Sequence, residues 1–278
     1  MGPGPMRKRA ISTATRGETL PTPVSYQRLP LPSAEVIPML RYVLPALLLT
    51  AAPLFAQWKL DDKFKPLKPD DIVDAKSTPA PEGAIVLFDG KSAEKWTKTS
   101  GKPVEWKLED GHWEGVKGHG DIVTKDKYAG KFKLHAEFRV PYEPGNNGQG
   151  RGNSGIYLQG RYEIQVLDSY GLKSGKNDCA SIYDLFPPKE NVCKAPSVWQ
   201  SYDIEFTAPV FDTDGKKKTE PVHITVYHNG VKVHDDAKVE KDNTTAGLGG
   251  DPAKPGPIML QDHGHPVQYR NIWLLPIK

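Results

Sequence analysis

Nine consecutive residues, Phe132-Lys-Leu-His-Ala-Glu-Phe-Arg-Val140, alternate apolar and polar side chains. Side chains of an extended strand point to opposite faces in turn, so this run buries one clean apolar face only as a β-strand. The rest of the chain repeats the signal in shorter pieces. Trp106-Lys-Leu-Glu, Asp110-Gly111 and His-Trp-Glu read as a hairpin, as do Val222–Tyr227, Asn229-Gly230 and Val231-Lys-Val233, because Asp-Gly and Asn-Gly fit tight hairpin turns. Further strands are expected at Ala84–Phe88, Asp121–Thr124, Ser154–Leu158, Tyr162–Leu167, Ser201–Phe206, Ile258–Gln261 and Val267–Leu275. The segments between them carry no helical period. With 26 Gly and 26 Pro as punctuation, about ten short strands predict an all-β domain, a sandwich or jelly roll of two antiparallel sheets. There is no fixed-period repeat, which excludes a propeller or solenoid.

Charge narrows the partners. The net charge is +3, but six of the 37 Lys and Arg and only two of the 34 acids fall in residues 1–56. The remainder carries 31 bases against 32 acids, a balance of −1, which is not the footprint of a nucleic-acid binder. No apolar run is long enough to span a membrane. Met39-Leu40-Arg41 followed by apolar Tyr42–Phe55 and Ala56 reads as a secretory signal peptide cut after Ala56, which predicts a secreted or periplasmic protein. Residues 1–38 form an upstream leader with Met39 as the expected start. Residues 57–82 read as a Pro-rich linker and 83–278 as the folded domain.

Export bears on Cys179 and Cys193. Oxidising surroundings favour a disulfide between them, closing a loop of 15 residues and stabilising the fold by about 3 kcal/mol in the chain-entropy model. No Cys-His pattern points to a catalytic thiol.

Polar residues gather in two stretches. In Gly152–Asp168, alternation assigns Tyr162, Ile164 and Val166 to the core and Arg161, Glu163 and Gln165 to the opposite face. A cation, a carboxylate and an amide side by side can grip vicinal hydroxyls, and a bulge after Val166 would return Asp168 to that face. A plain solvated outer face gives the same pattern. The second stretch, Leu260-Gln-Asp-His-Gly-His265, follows a strand. His263 there suits a general base. Asp262, His263 and His265 together are a weak candidate for a divalent metal, and no required cofactor is visible. His228 and His234, flanking Asn229-Gly230, read as surface residues. Asn153, Tyr157, Tyr183, Trp199 and Gln261 lie in or beside these stretches, where aromatic faces stack on sugars or fill a core.

Val86-Leu-Phe-Asp-Gly90, Asn153-Ser-Gly-Ile-Tyr157, Tyr162-Glu-Ile-Gln-Val-Leu-Asp-Ser-Tyr-Gly171, Cys179-Ala-Ser-Ile-Tyr183, Trp199-Gln-Ser-Tyr-Asp-Ile-Glu-Phe206, His228-Asn-Gly-Val231, Leu260-Gln-Asp-His-Gly264 and Tyr269-Arg-Asn-Ile272 resemble, in order, the 3-keto-disaccharide hydrolase domain family. The resemblance covers about residues 83–277. It implies a concanavalin-A-like jelly roll, a carbohydrate partner and action on oxidised glycosides. Laminarinase-like glycosidases on such folds place three acids on one strand; here Glu163-Ile-Gln165-Val-Leu-Asp168 has an amide in the middle. Retaining hydrolysis needs two carboxyl groups about 5–5.5 Å apart, so the sequence disfavours it. A 3-keto sugar has an acidic C2 proton. Its removal by Glu163 or His263, with loss of the C1 substituent and later hydration, needs one base and donors for an enolate oxygen, from Arg161, Gln165 or Gln261. The alternative is a carbohydrate-binding module on the same fold, which needs no base.

Overall fold

In the computed structural model, residues 68–277 are described. The expected leader, the signal peptide and linker residues 57–67 lie outside the described residues. The first strands in chain order are β1 (Ile85–Phe88), β2 (Trp96–Lys98), β3 (Lys107–Glu109), β4 (His112–Glu114), β5 (Ile122–Thr124), β6 (Lys131–Arg139), β7 (Ser154–Leu158) and β8 (Tyr162–Val166). There follow β9 (Gln200–Thr207), β10 (Val210–Phe211), β11 (Lys218–Glu220), β12 (Val222–His228), β13 (Val231–Val239), β14 (Met259–Leu260) and β15 (Gln268–Ile277). Helical structure among the described residues is confined to two 3₁₀ turns, Pro69–Ile72 and Gly148–Gly150.

The strands form two antiparallel sheets, as expected for an all-β sandwich. One has eight strands in the order β13-β12-β9-β6-β15-β4-β3, with β1 also on β15; the other has five, β2-β5-β14-β7-β8. β10 and β11 form a separate ribbon. Sequence reading missed β2, β10 and β11, which are two or three residues long and too short to show a period. Both hairpin turns have positive φ at both central residues: 49° and 77° at Asp110-Gly111, 51° and 80° at Asn229-Gly230. That conformation matches the twist of the strands they join, and Asn, Asp and Gly adopt it with least strain.

The two sheets pack through one apolar cluster. Phe132, Leu134, Ala136 and Phe138 of β6 enter it from one side, and Ile156, Leu158, Ile164 and Val166 of β7 and β8 from the other. The alternation read in Phe132–Val140 is thus realised, but its polar face is buried too: His135 is 0% exposed and Glu137 1%.

The cover on that face comes from residues expected to be linker. Residues 71–78 strap across the outer face of the eight-stranded sheet. Trp199 N–H donates to Asp74 Oδ1 (2.9 Å), Ala75 N–H to the Trp199 carbonyl (2.9 Å), and Trp273 Nε1–H to the Thr78 carbonyl (3.1 Å). Ser77 Oγ–H donates to the Glu137 carboxylate, which also accepts from Arg270 Nε (2.7 Å) and Asn271 Nδ2 (2.7 Å). A strap of this kind has polar groups that the sheet can pair, and Glu137 has a buried charge that the strap can pair, so each satisfies the other. Ser77→Ala is expected to cost about 1–2 kcal/mol in urea unfolding, since a hydrogen bond to a buried charged acceptor is lost.

Candidate active site

The face of β7 and β8 turned away from the core carries Gly155, Tyr157, Glu163 and Gln165. The register sets Gly155 opposite Gln165 and Tyr157 opposite Glu163. Residues from several loops close over this face, so that Glu163 is 2% exposed and Gln165 1%. The result is a cavity of about 110 Å³ lined by Gln149, Asn153, Glu163, Gln165, Tyr183, Thr245, Ala246, Gln261 and His263. It meets solvent at His263, which is exposed.

Glu163 is the chemical centre of the cavity. Tyr157 Oη donates to its carboxylate and accepts from Gln261 Nε2–H (2.9 Å). Oε2 of Glu163 is buried and has no hydrogen-bond partner among the described residues. Burial pushes the carboxyl up to about 7; the Tyr157 hydrogen bond opposes the rise and the nearby Asp121 charge adds to it. A cavity-lining carboxylate that is ionised for much of the time near neutrality, with one oxygen unpaired, is equipped to take a proton. Gly155 makes room for it. A Cβ there would lie 2.6 Å from Glu163 Oε1 and 2.8 Å from Tyr157 Cε2. Gly155→Ala is therefore expected to displace the carboxylate and lower kcat/KM on the true substrate about 10²-fold, the scale of a misplaced catalytic group. A circular dichroism melt would show whether the fold persists.

The surrounding amides are organised by Gln149. Its Oε1 accepts from Asn153 Nδ2 (3.2 Å) and Gln165 Nε2 (3.1 Å), and its Nε2 donates to the Asn177 carbonyl (2.7 Å). Among the described residues, one N–H of Gln149 and one of Gln261 have no acceptor and remain for a ligand. His263 is placed by its turn: Asp262 accepts from Gly120 N–H (2.8 Å) and Gly264 N–H (2.9 Å), and Asp262 N–H donates to Asp121 Oδ1 (2.8 Å). The Asp121 carboxyl is held above its ordinary range by burial, with the Asp262 N–H opposing and the Asp262 charge reinforcing.

Glu163, His263, Asn153, Gln165, Tyr183 and Gln261, all expected from the sequence, meet in this cavity, with Tyr157 bonded behind it. Three others do not. Arg161 follows the turn at Gln159 and Gly160 (φ 53° and 65°) and donates to Gln159 Oε1 (2.8 Å) and the Lys254 carbonyl (2.7 Å), where it braces a loop. Asp168 is paired with Arg151 and caps Tyr170 N–H (3.3 Å). Trp199 immediately precedes β9 of the other sheet, with the Arg139 and Arg270 guanidiniums 4.8 and 4.1 Å from its ring centroid. The metal candidates also separate: the Asp262 carboxylate holds backbone amides, and His265 Nδ1 pairs with Glu143 Oε2 (2.7 Å). Cys179 and Cys193 are two buried free thiols rather than a bridge, and Cys179 Sγ lies 3.0 Å from Tyr202 Oη. His228 and His234, expected at the surface, are 1% and 5% exposed. Each turns inward onto a buried acceptor, Gln200 Oε1 and the Ala180 carbonyl.

Gln149, Thr245, Ala246 and Asp121 were missed. They sit in loops or at a strand edge, where no period marks them. A wider groove of about 370 Å³ lies elsewhere, lined in part by Glu114, Arg139 and Gln268, whose polar atoms bond to one another.

The model of the 3-keto-alpha-glucoside-1,2-lyase-like domain matches residues 83–275. The chain belongs to that family. The match contains the whole cavity and leaves the strap before it. Among solved structures, a provisionally named glycosyl hydrolase from Parabacteroides distasonis is 36% identical, with a TM-score of 0.66, covering 77% of this chain and 94% of its own. A second such protein from the same organism is 21% identical with a TM-score of 0.51, covering 71% and 95%, and shows the fold alone. Among curated proteins none matches. Membership of this family makes the domain carbohydrate-active. Among the described residues no helix is long and apolar enough to cross a membrane.

Proposed function

We propose that the domain cleaves 3-keto-glycosides, with Glu163 removing the C2 proton. The observation that carries this reading is the buried Glu163 carboxylate, whose Oε2 has no hydrogen-bond partner among the described residues and whose pKa is pushed up to about 7. The C3 carbonyl makes C2–H acidic. Its electron pair moves into a C2–C3 enolate, the C1–O bond then breaks with its pair on the departing oxygen, and a C1–C2 double bond remains. Water added across that bond completes net hydrolysis.

One base suffices for this chemistry, and the geometry supports a single-base division of labour. The free N–H groups of Gln149 and Gln261 are available to the enolate oxygen or neighbouring hydroxyls, where a donor of this kind is worth about 10²–10³-fold. His263, at the mouth, makes no ring hydrogen bond with the described residues, and in this reading it protonates the leaving oxygen. Asp168, the only other acid on the Glu163–Asp168 segment, is engaged by Arg151, which supports elimination over double displacement. Secretion or a periplasmic location remains part of this proposal, on the strength of Met39–Ala56. Incubation with a 3-keto-glucoside in D₂O tests the reaction. Deuterium at C2 and an unsaturated or hydrated product support it; binding without exchange reduces the domain to a carbohydrate-binding module.

A further inference from the structure

Behind the cavity, on its core side, three potential ligands converge that the proposed reaction does not use. One ligand atom each from Cys179, Cys193 and His228 lie within 4.8 Å of one another, and all three residues are buried. They come from separate segments: the loop after β8, the loop before β9, and the end of β12. We infer that Cys179, Cys193 and His228 bind one structural zinc ion.

The chemistry of the cluster fits that ion. Zinc takes thiolate and imidazole at about 2.3 and 2.0 Å, which sets tetrahedral ligand atoms about 3.5–3.8 Å apart, so the cluster needs at most a small contraction. Two thiolates balance the dication, and an electrically neutral site can sit in an apolar core without an unpaired charge. The histidine is set in the needed form by its neighbour. Lys194 N–H donates to Gln200 Oε1 (2.9 Å), which fixes the amide orientation. The same Oε1 faces His228 Nε2 at 3.0 Å, so Nε2 carries the proton and Nδ1 keeps a lone pair. Tyr202 Oη, 3.0 Å from Cys179 Sγ, is the next oxygen donor.

The ion would also have a task. Ala180 N–H bonds to the Gln165 carbonyl (2.9 Å), Tyr202 Oη–H to the same carbonyl (2.7 Å), and Tyr183 N–H to the Glu163 carbonyl (3.1 Å). Fixing Cys179 therefore fixes the loop that carries Tyr183 into the cavity and the backbone that carries Gln165 and Glu163. Anchoring separate loops to one point is what a structural zinc site provides.

The test uses the full chain, expressed without a histidine tag and purified without chelator. Plasma mass spectrometry is expected to find about one zinc per chain, and Cys193→Ser and His228→Ala to lower that at least tenfold. Cobalt(II) added to the stripped protein should give thiolate-to-cobalt charge-transfer bands that Cys193→Ser lacks. If either variant fails to fold, the wild-type measurements decide alone. Less than about a tenth of an equivalent of zinc after incubation with excess zinc overturns the inference. An intact mass two hydrogens lower, the mark of a disulfide, overturns it equally.

Discussion

Glu163→Gln is expected to lower kcat/KM on a 3-keto-glucoside by about 10²–10⁴-fold, the contribution of a positioned base. The wild-type profile of kcat/KM should rise with pH through about 7 and level off above it, because only the ionised carboxylate accepts a proton. Stability should move the other way. The folded-state pKa is raised from 4.5 to about 7, so the folded protein binds the proton more tightly than the unfolded chain does. Ionising Glu163 therefore costs nothing below about pH 4 and its full penalty above about pH 8, on the order of 3 kcal/mol. Glutamine removes that penalty, so the inactive variant should melt higher than wild type at pH 8. Activity and stability changing in opposite directions is the mark of a site kept strained for function. A residue that merely filled the cavity would lose both.

Arg270→Ala is expected to destabilise the domain by about 3–5 kcal/mol in urea unfolding, since it strands a buried carboxylate. Arg270 Nε lies 2.7 Å from Glu137 Oε2, and its guanidinium covers Trp199. The Glu137 carboxyl is held down at about 2: burial would raise it, but hydrogen bonds from His135, Ser77, Asn271 and Arg270 prevail. A depressed folded-state pKa means stability that is present above about pH 4.5 and lost as pH falls toward 2. Wild type should therefore lose stability through that acid window, and Arg270→Ala should show a shallower loss. Activity per folded molecule should be retained, because this network lies on the other sheet.

Alternation made the sheets legible and one face of the site with them. Gly155, Glu163 and Gln165 had to oppose Ile156, Ile164 and Val166 once β7 and β8 were strands. What alternation does not encode is which outer face becomes covered. Glu137 and Glu163 both stand on outer faces, but of different sheets, and only the loops through Tyr183 and Thr245 turn one into a cavity. Arg161 shows a second limit. It is two residues from Glu163 in sequence, but the left-handed turn at Gln159 and Gly160 takes it out of the strand, so the period no longer governs it. The strap shows a third: Pro and charged residues that suggest a free linker are also what a buried Glu137 and a polar sheet face recruit as partners.

The central claim is that Glu163 takes a proton from C2, and isotope exchange at that carbon reads it most directly. With a 3-keto-glucoside in D₂O, followed by proton NMR, the wild-type protein should wash deuterium into C2 or release product. Glu163→Gln, folded and still binding the sugar, should do so at least about 100-fold more slowly. Undiminished exchange or turnover in Glu163→Gln would contradict the account and move the base to another residue of the cavity.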